Sequence, residues 1–573
     1  MIRSRLTRLV PLIVPALLSA QAPAAATTII PAPATTLPLK HAPKPTTAAI
    51  TAGDLMTRLY IFADDSMMGR EAGTIGNVKG TDYIAAEVKR MGLVPMGDNG
   101  SYFQTIPFKT RVVAPTSVVM IAESKLAAGT EWVLAFGSAL PMGTLPVVYG
   151  GVIGDNSPRV DPPLAVGKLV VYRVLPNGIG QVQDPTTFPT GAAAVVLLGL
   201  DPYMTYFTRP STFVDDPAKP QPQTPTPVLL FAQPTIAKLF DGPAETLKPG
   251  TEGHQTTLAV TVSVEPVKFP ARNVVALLPG SDAKLKGEYV AVGAHNDHIG
   301  FANEGVDHDS IRIYNHIVRS LGAEDEAKQA TAEQQTEINT TLASWRKVHP
   351  GSARPDSIAN GADDDGSGSV TVLEIAQHLA SLPKKPKRSV LFVWHVGEEK
   401  GLLGSQYFTD HPTVPRDSIV AQLNIDMVGR GDAWDVTGQS KEGQMLHGGA
   451  NYLQLVGSRR LSTELGDLVE KVNTESKLGF TFDYAMDANG HPMNIYCRSD
   501  HYSYARYGIP IVFFTTGGHS DYHQVTDEPQ YIDYAHMARV GQLVSNIAVS
   551  AANLDHRIAV DQPKPDPAGA CKQ

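Results

Sequence analysis

Residues 389–399 read SVLFVWHVGEE, a mostly apolar run that leads directly into Glu398 and Glu399. Runs of the same kind recur at residues 273–278, 289–294, 419–425 and 509–515. Strands that are apolar on both faces and linked by helical segments are typical of an α/β sheet buried on both sides. We therefore predict an α/β fold with a mixed, mainly parallel sheet covered by helices. Ligands in such a sheet bind beyond the carboxyl ends of the strands.

Side chains that could bind a metal follow several of these strands. His295 and Asp297 come directly after one strand, and Asp426 comes directly after another. Beyond the last strand, four further candidates are His519, Asp521, His523 and Asp527. A histidine with a carboxylate two residues later suits a metal ligand and its orienting partner, and paired carboxylates can divide into a ligand and a general base. Each could be an ordinary loop residue, but their recurrence at strand ends predicts one shared site.

Residues 360–368 read NGADDDGSG and precede a run with helical spacing that Pro383 ends. Three adjacent carboxylates, those of Asp363, Asp364 and Asp365, repel one another in a tight loop. A divalent cation relieves this repulsion, because carboxylate oxygens are good metal ligands. An Asp-rich turn that caps the helix is the alternative interpretation.

Composition narrows the class of protein. The chain has 573 residues, 42% of them hydrophobic, and a formal charge of -9, so we expect two or more domains and no binding to nucleic acid. Cys497 and Cys571 are the two cysteines. We therefore expect no disulfide framework and regard Cys571 as incidental.

The N-terminal residues predict export. Arg3, Arg5 and Arg8 precede an apolar run at 9–18 and small residues up to 26, which is the order of a secretory signal peptide. The apolar run is too short to span a membrane in the mature protein, so we expect no stable membrane anchor. A periplasmic or extracellular location follows.

The five motifs together resemble a known family. His295-x-Asp297, GADDDGSG, GEEKGLLGS, NIDMVG and DYHQVTDEP are similar to those of the co-catalytic two-zinc aminopeptidases of the bacterial leucyl aminopeptidase and aminopeptidase Y type. The resemblance covers an N-terminal segment and residues from about 271 to 549. It implies the zinc exopeptidase fold. The β-rich region at 115–264 resembles the protease-associated domain that many members carry.

The resemblance also implies a role for each site residue. Asp364 would bridge two Zn²⁺ ions, Glu399 and His523 would complete one site, and His295 and Asp426 would complete the other. Glu398 would be the general base and Asp297 the partner of His295. The candidate substrate-binding residues are Asp500 and His501 of the segment Ser499-Asp500-His501, which lies where members of the family shape the substrate pocket. Asp363 and Asp365 are expected to form the loop, and His298, His395 and His519 to be structural or outside the first ligand set.

The predicted organisation has six parts: a signal peptide at 1–26, a linker at 27–50, a zinc peptidase domain at 51–114 and 265–555, a protease-associated-like domain at 115–264, an insertion at 301–359 and a tail at 556–573. The insertion is far longer than the connection in related enzymes. Helical spacing of Ile338, Leu342 and Trp345 and a charged run at 324–337 predict an ordered helix. We hypothesise a partial lid over the site, with a surface decoration as the alternative.

The sequence as a whole favours an exported metallo-aminopeptidase. Such an enzyme would remove N-terminal residues from peptides with two zinc ions, a bridging hydroxide as nucleophile and Glu398 as base. A glutaminyl cyclase, a glutamate-type carboxypeptidase and a non-catalytic receptor-like protein are the alternatives. Retention of both His295 and Asp426 favours two metals over the one-zinc cyclase.

Overall fold

The computed structural model describes residues 37–573 except 184–186, 209, 219–225, 327 and 350–352. The predicted signal peptide at 1–26 lies outside the described residues. The described part of the predicted linker has no helix or strand. Two hydrogen bonds nevertheless hold it against the helix Ala52–Phe62: Tyr60 donates to the carbonyl of Pro38, and Thr47 Oγ1 donates to Asp54. Among the described helices, none combines the length and apolar composition needed to cross a membrane.

Nine of the described strands form the central sheet. In spatial order eight of them are Val94–Pro95, Ala271–Leu278, Ser389–His395, Tyr289–His295, Ile419–Ile425, Ile511–Thr515, Tyr452–Val456 and Thr481–Asp483, and the ninth, Phe103–Ile106, pairs with Ala271–Leu278. The four strands at the centre are parallel, and antiparallel strands flank them on both sides. The predicted mixed α/β sheet is thereby confirmed, with its parallel part at the centre.

Helices cover both faces of this sheet because the strands carry apolar side chains on both faces. Phe392 packs in one core with Val372 and Leu543, whereas its neighbour Val393 packs in the opposite core with Phe408. The described α-helices longer than four residues in 37–114 and 360–573 are Ala52–Phe62, Ile75–Arg90, Gly368–Ser381, Leu403–Asp410, Thr463–Ser476, His501–Ala505 and Tyr534–Asn553. Burial on both faces explains why the strand sequences lack a polar alternation.

A second sheet accounts for the β-rich region. Its eight described strands, in spatial order, are Ser124–Lys125, Val118–Ile121, Glu252–Val260, Leu140–Ile153, Leu169–Val174, Ala194–Leu198, Val228–Phe231 and Trp132–Phe136. Short helices at Pro162–Ala165, Asp201–Phe207 and Ile236–Leu239 accompany it, and a three-stranded sheet comprises Ser211–Val214, Phe108–Val113 and Val262–Pro266. Small two-stranded sheets pair Phe301–Asp307 with Pro355–Ile358, and Val436–Gln439 with Met445–His447. The predicted β-rich region is therefore present. Its assignment as a protease-associated domain stays a prediction.

The insertion at 301–359 contains two helices, His308–Val318 and Ala332–Val348. Ile338 is buried, as its spacing predicts, and the Trp345 indole donates to Asp309 Oδ1 at 3.2 Å. The prediction of a helix from residue 324 is wrong for its first part, because a capping box at Thr331 starts the helix there. The helix at His308–Val318 was not predicted.

Four buried or half-buried charged residues fasten the insertion to the rest of the fold. His308 Nε2 lies 3.2 Å from Glu528 Oε2, and Arg354 pairs with both Asp356 and Glu528. We call His308, Arg354, Asp356 and Glu528 the insertion latch. Burial alone would lower the pKa of His308, but its contacts with Asp309 and Glu528 raise that pKa to about 8.

The expectation that Cys571 is incidental is wrong. Cys497 and Cys571 form a disulfide with a Cα–Cα distance of 5.8 Å across 74 residues of sequence. The tail folds back beside Cys497, where Gln573 Oε1 accepts a hydrogen bond from the Tyr496 N–H at 3.0 Å. Periodicity cannot reveal a pairing over this distance, because the pairing depends on where the tail packs.

Removing the disulfide should destabilise the protein without unfolding it. We expect the double variant Cys497→Ser/Cys571→Ser to lose about 2–4 kcal/mol of unfolding free energy, because the cross-link restricts the unfolded chain. Urea unfolding measures this loss. Reductant should lower the stability of the parent protein and leave that of the variant unchanged. Two titratable thiols in the native, unreduced parent would contradict the disulfide.

The insertion latch should weaken as pH rises. The folded-state pKa of His308, about 8, lies above the ordinary value of 6.5, so its contribution is complete below about pH 6.5 and is lost as pH rises through about 8. His308→Gln should therefore cost about 2 kcal/mol more of unfolding free energy at pH 6 than at pH 9. Denaturant unfolding at both pH values measures it, with the exposed His254→Gln as the matched control. Equal costs at both pH values would contradict this expectation.

Candidate metal centre and active site

The carboxyl edge of the central sheet gathers the candidate residues. His295 ends its strand, Asp426 follows the neighbouring parallel strand, and Glu398 and Glu399 follow the strand on the other side of His295. Asp364 approaches them from the loop that precedes the helix Gly368–Ser381. Parallel strands place these loops side by side, so residues far apart in sequence meet at one edge.

One group of candidate ligands surrounds Glu399. His523 Nε2 lies 3.0 Å from Asp364 Oδ2 and 2.9 Å from Glu399 Oε2. His298 Nδ1 lies 2.7 Å from the other oxygen of Glu399. These four residues, His298, Asp364, Glu399 and His523, converge closely enough to hold one metal ion.

A second group surrounds His295. Its Nε2 lies 3.1 Å from Asp364 Oδ1 and 3.7 Å from Asp426 Oδ1. His295, Asp365 and Asp426 also converge closely enough to hold an ion. The carboxylate of Asp364 thus presents one oxygen to each group, which is the placement that a shared ligand between two metals requires.

The chemistry of the donor atoms fits metal binding. Several buried atoms have no hydrogen-bond partner among the described residues, namely His295 Nε2, His298 Nδ1, Asp364 Oδ2, Glu399 Oε1 and His523 Nε2. Unpaired buried polar atoms are costly, and these point towards one another. Imidazole nitrogen and carboxylate oxygen are the ligand types that zinc accepts without cysteine.

Electrostatics favour bound cations at the same place. Burial raises the pKa of Glu398 well above its ordinary value, and Asp426 and Glu399 add to the rise while His295 opposes it. Burial would also raise the pKa of Asp364, but the contacts of His295 and His523 hold it well below its ordinary value. An excess of buried carboxylates of this kind is offset by multivalent cations.

Asp297 contacts both His295 and the backbone of the candidate base, Glu398. Its carboxylate accepts hydrogen bonds from the N–H of Gly397 at 2.7 Å and of Glu398 at 3.2 Å. The oxygen nearest His295 Nδ1 is the backbone carbonyl of Asp297, at 3.1 Å, and its carboxylate lies 3.8 Å away. The residue expected to orient His295 therefore does so through its backbone and uses its side chain to hold the loop of Glu398.

The remaining aspartates shape the loop that carries Asp364. Asp527 accepts hydrogen bonds from the N–H groups of Asp363 and Asp364 at 3.0 and 3.1 Å. Asp363 accepts one from Gly429 at 2.6 Å, and Asp365 accepts one from the N–H of His295 at 3.0 Å. Asp363 and Asp365 thus form the loop, as the sequence predicts, and Asp365 also belongs to the second ligand group.

A cavity of about 680 Å³, including its space open to solvent, borders this centre. Asp364, Glu398 and Asp426 line one part of it. Six large apolar side chains also line it: Leu321, Met427, Met486, Met493, Ile495 and Phe513. The mixture of an apolar wall with a few converging charges is typical of ligand sites.

Asp500 and His501, the predicted substrate-binding residues, are absent from the described lining of this cavity. Both are fully buried. Asp500 Oδ2 lies 3.4 Å from His395 Nδ1, and His501 Nε2 lies 2.7 Å from the carbonyl of Tyr496. The neighbouring Arg498 and Ser499 line the cavity instead.

Sequence reasoning missed two contributors to the site. His298 is expected outside the ligand set, although it follows His295 by only three residues and its Nδ1 lies 2.7 Å from Glu399 Oε1. Glu324 from the insertion lines the cavity, and no motif marks it, since its position depends on how distant segments pack. Ser499, from the predicted substrate segment, donates through its Oγ to Asp426 Oδ2 at 2.6 Å.

Known proteins resemble different parts of this chain. A probable leucine aminopeptidase of Arthroderma benhamiae (strain ATCC MYA-4681 / CBS 112371) is 32% identical over 139 residues, which are 23% of this chain and 39% of the relative. Leucine aminopeptidase 1 of Coccidioides posadasii (strain C735) is 31% identical over 204 residues, 34% of this chain and 47% of the relative. The chain thus spans less than half the length of these relatives.

The fold has a counterpart among solved structures. The aminopeptidase from Aneurinibacillus sp. strain AM-1 superposes with a TM-score of 0.52 at 16% identity and covers 90% of this chain and 97% of its own. Residues 273–548 match the family model described as Peptidase family M28, and this range includes every residue of both ligand groups. The similarity to peptidase family M28 therefore extends over residues 273–548, slightly less than half of this chain.

Proposed function

We propose that this protein is a two-zinc aminopeptidase that removes N-terminal residues from peptides. The observation that carries the proposal is the carboxylate of Asp364, whose two oxygens face two separate ligand groups. A one-metal site, as in the glutaminyl cyclase alternative, has no use for such a shared ligand. The aminopeptidase names of the relatives point in the same direction.

The proposed ligands follow from the two groups. His295 and Asp426 would hold one zinc, Glu399 and His523 the other, and Asp364 both. His298 is a further candidate beside Glu399. When bound, two zinc ions polarise a substrate carbonyl and lower the pKa of a water molecule.

Glu398 is the proposed general base. It lines the cavity beside Asp364 and Asp426, and Asp297 fixes its backbone. In this position its carboxylate takes a proton from the attacking water and passes it to the leaving amine. Burial and the neighbouring carboxylates raise the pKa of Glu398, which suits a group that accepts a proton from water.

The cavity suggests how a peptide lies. The positively charged N-terminal amine is attracted to the acidic end of the cavity beside Asp426, and an apolar side chain fits against Met427, Met486 and Phe513. We therefore propose large apolar N-terminal residues as the preferred substrates.

Export is also part of the proposal. A disulfide persists in oxidising compartments, which fits the signal peptide predicted at 1–26.

Glu398→Gln should separate proton transfer from metal binding. The amide keeps the size of the side chain and removes no proposed ligand, so zinc content and KM should be retained. We expect kcat to fall by about 10²–10⁴-fold, which is the usual contribution of a general base. Steady-state kinetics on leucine p-nitroanilide with elemental analysis of the same sample measures both. Near-full turnover would refute the role of Glu398.

Zinc content should reveal the shared ligand. The purified protein at saturating zinc should contain about two ions per chain, as two-metal sites do. Asp364→Ala should fall below one, because it removes an oxygen from each group, whereas Asp467→Ala, a change at an exposed carboxylate, should retain both. One ion or fewer in the parent protein, or two in Asp364→Ala, would contradict the two-metal proposal.

A further inference from the structure

The wall of the cavity carries an ion pair that the proposed reaction does not use. Arg498 and Glu324 both line the cavity, and their side chains meet through two contacts, one of them 3.0 Å between Arg498 Nη1 and Glu324 Oε2. Arg498 is 38% exposed and Glu324 26%. Among the side chains described as lining the cavity, that of Arg498 is the one cation.

The position of Arg498 is fixed from both sides along the chain. Cys497, directly before it, is held by the disulfide to Cys571. Ser499, directly after it, donates to Asp426 and accepts a hydrogen bond from Asn424 Nδ2 at 2.9 Å. The backbone at Arg498 is therefore held beside Asp426, and such preorganisation lowers the cost of binding.

Glu324 comes from a different part of the molecule. It lies in the short turn Gly322–Glu324 of the insertion, between the two insertion helices. The backbone around it is held by the bond from Leu321 N–H to Asp325 Oδ2 at 2.9 Å. A half-exposed ion pair of this kind contributes little to stability, so an incoming carboxylate can replace Glu324 on Arg498 at small cost.

The charges of the cavity match a short peptide with two free ends. The amine of such a peptide would lie at the end of the cavity that Asp364, Glu398 and Asp426 line, and Arg498 offers a planar pair of donors that suits a carboxylate. Both sets of groups line one cavity. A long peptide places no terminal carboxylate inside this cavity, although its sequence can supply a side-chain carboxylate there.

We propose that Arg498 binds the C-terminal carboxylate of di- and tripeptides, and that Glu324 occupies Arg498 between substrates. The inference rests on the proposed aminopeptidase function and names its substrate class. It also gives the insertion a definite role, since Leu321 and Glu324 form part of the cavity wall. Arg498 would then select substrates and take no part in bond cleavage.

The experiment compares leucyl-leucine with leucyl-leucinamide, which differ only in the terminal carboxylate. The parent enzyme should prefer the free acid by roughly two- to fivefold in kcat/KM, mainly through KM, because the new contact replaces the one that Glu324 makes. Arg498→Met should bring the ratio to about one, and Arg498→Lys should keep part of it. Glu324→Gln should lower KM for the acid, because it removes the competing carboxylate. Arg459→Met, a change at an arginine paired with Asp467 outside the cavity, should keep the parent ratio.

Three results would overturn the inference: an equal kcat/KM for acid and amide in the parent enzyme, an unchanged preference in Arg498→Met, or an equal loss on both substrates in that variant. If Arg498→Met fails to fold, the parent ratio and Arg498→Lys still decide the question. Failure of the aminopeptidase function is a different result. In that case the zinc-saturated parent enzyme hydrolyses neither dipeptide nor leucine p-nitroanilide.

Discussion

The shared carboxylate of Asp364 is the constraint on which the catalytic region depends. One of its oxygens faces His295 and the other faces His523, and these histidines follow different strands of the sheet. A side chain that serves two groups has almost no freedom in position. The surrounding backbone must therefore be held more firmly than an ordinary loop, and the neighbouring residues supply that rigidity.

The loop is held from two sides, and its own conformation is restricted as well. Asp527 binds its N–H groups, and from the N-terminal segment the fully buried Arg70 donates to the carbonyls of Asn360 at 2.7 Å and Gly361 at 2.8 Å. Gly361 has a φ of 56°, and a Cβ there would meet the carbonyl oxygen of Asp364 at 2.2 Å, so a larger residue cannot take its place. A residue near the start of the chain thus positions a ligand loop about three hundred residues later.

The insertion shows how one segment can acquire two roles. Its latch, built around His308 and Glu528, fastens it beside the loop that carries His523. Its central turn then brings Glu324 into the cavity, where it meets Arg498. Because the insertion leaves and returns between His298 and Asp364, a change in its packing would displace residues close to both proposed ligand groups. Its long sequence is therefore compatible with a part in substrate selection as well as with surface decoration.

Local sequence determined the strands, the main helices and the types of ligand. The strands Ser389–His395 and Ile419–Ile425 have the predicted bounds because two-sided burial leaves an unbroken apolar run. The charged groups that follow these strands can be recognised in the sequence for the same reason, since each loop begins where the apolar run stops. Tertiary structure alone decided which of these groups meet. It brings His298 beside Glu399 and buries Asp500 and His501 outside the described lining of the cavity.

Contacts between single residues far apart in sequence could not be predicted from the sequence. The Cys497–Cys571 disulfide joins residues separated by 74 positions, and the pair of Glu324 with Arg498 spans 174. Such contacts leave no periodic trace, because each partner is compatible with a surface position until the chain folds. Hydrophobic periodicity is a local property that fixes elements, whereas pairing of single side chains depends on the packing of whole elements against one another.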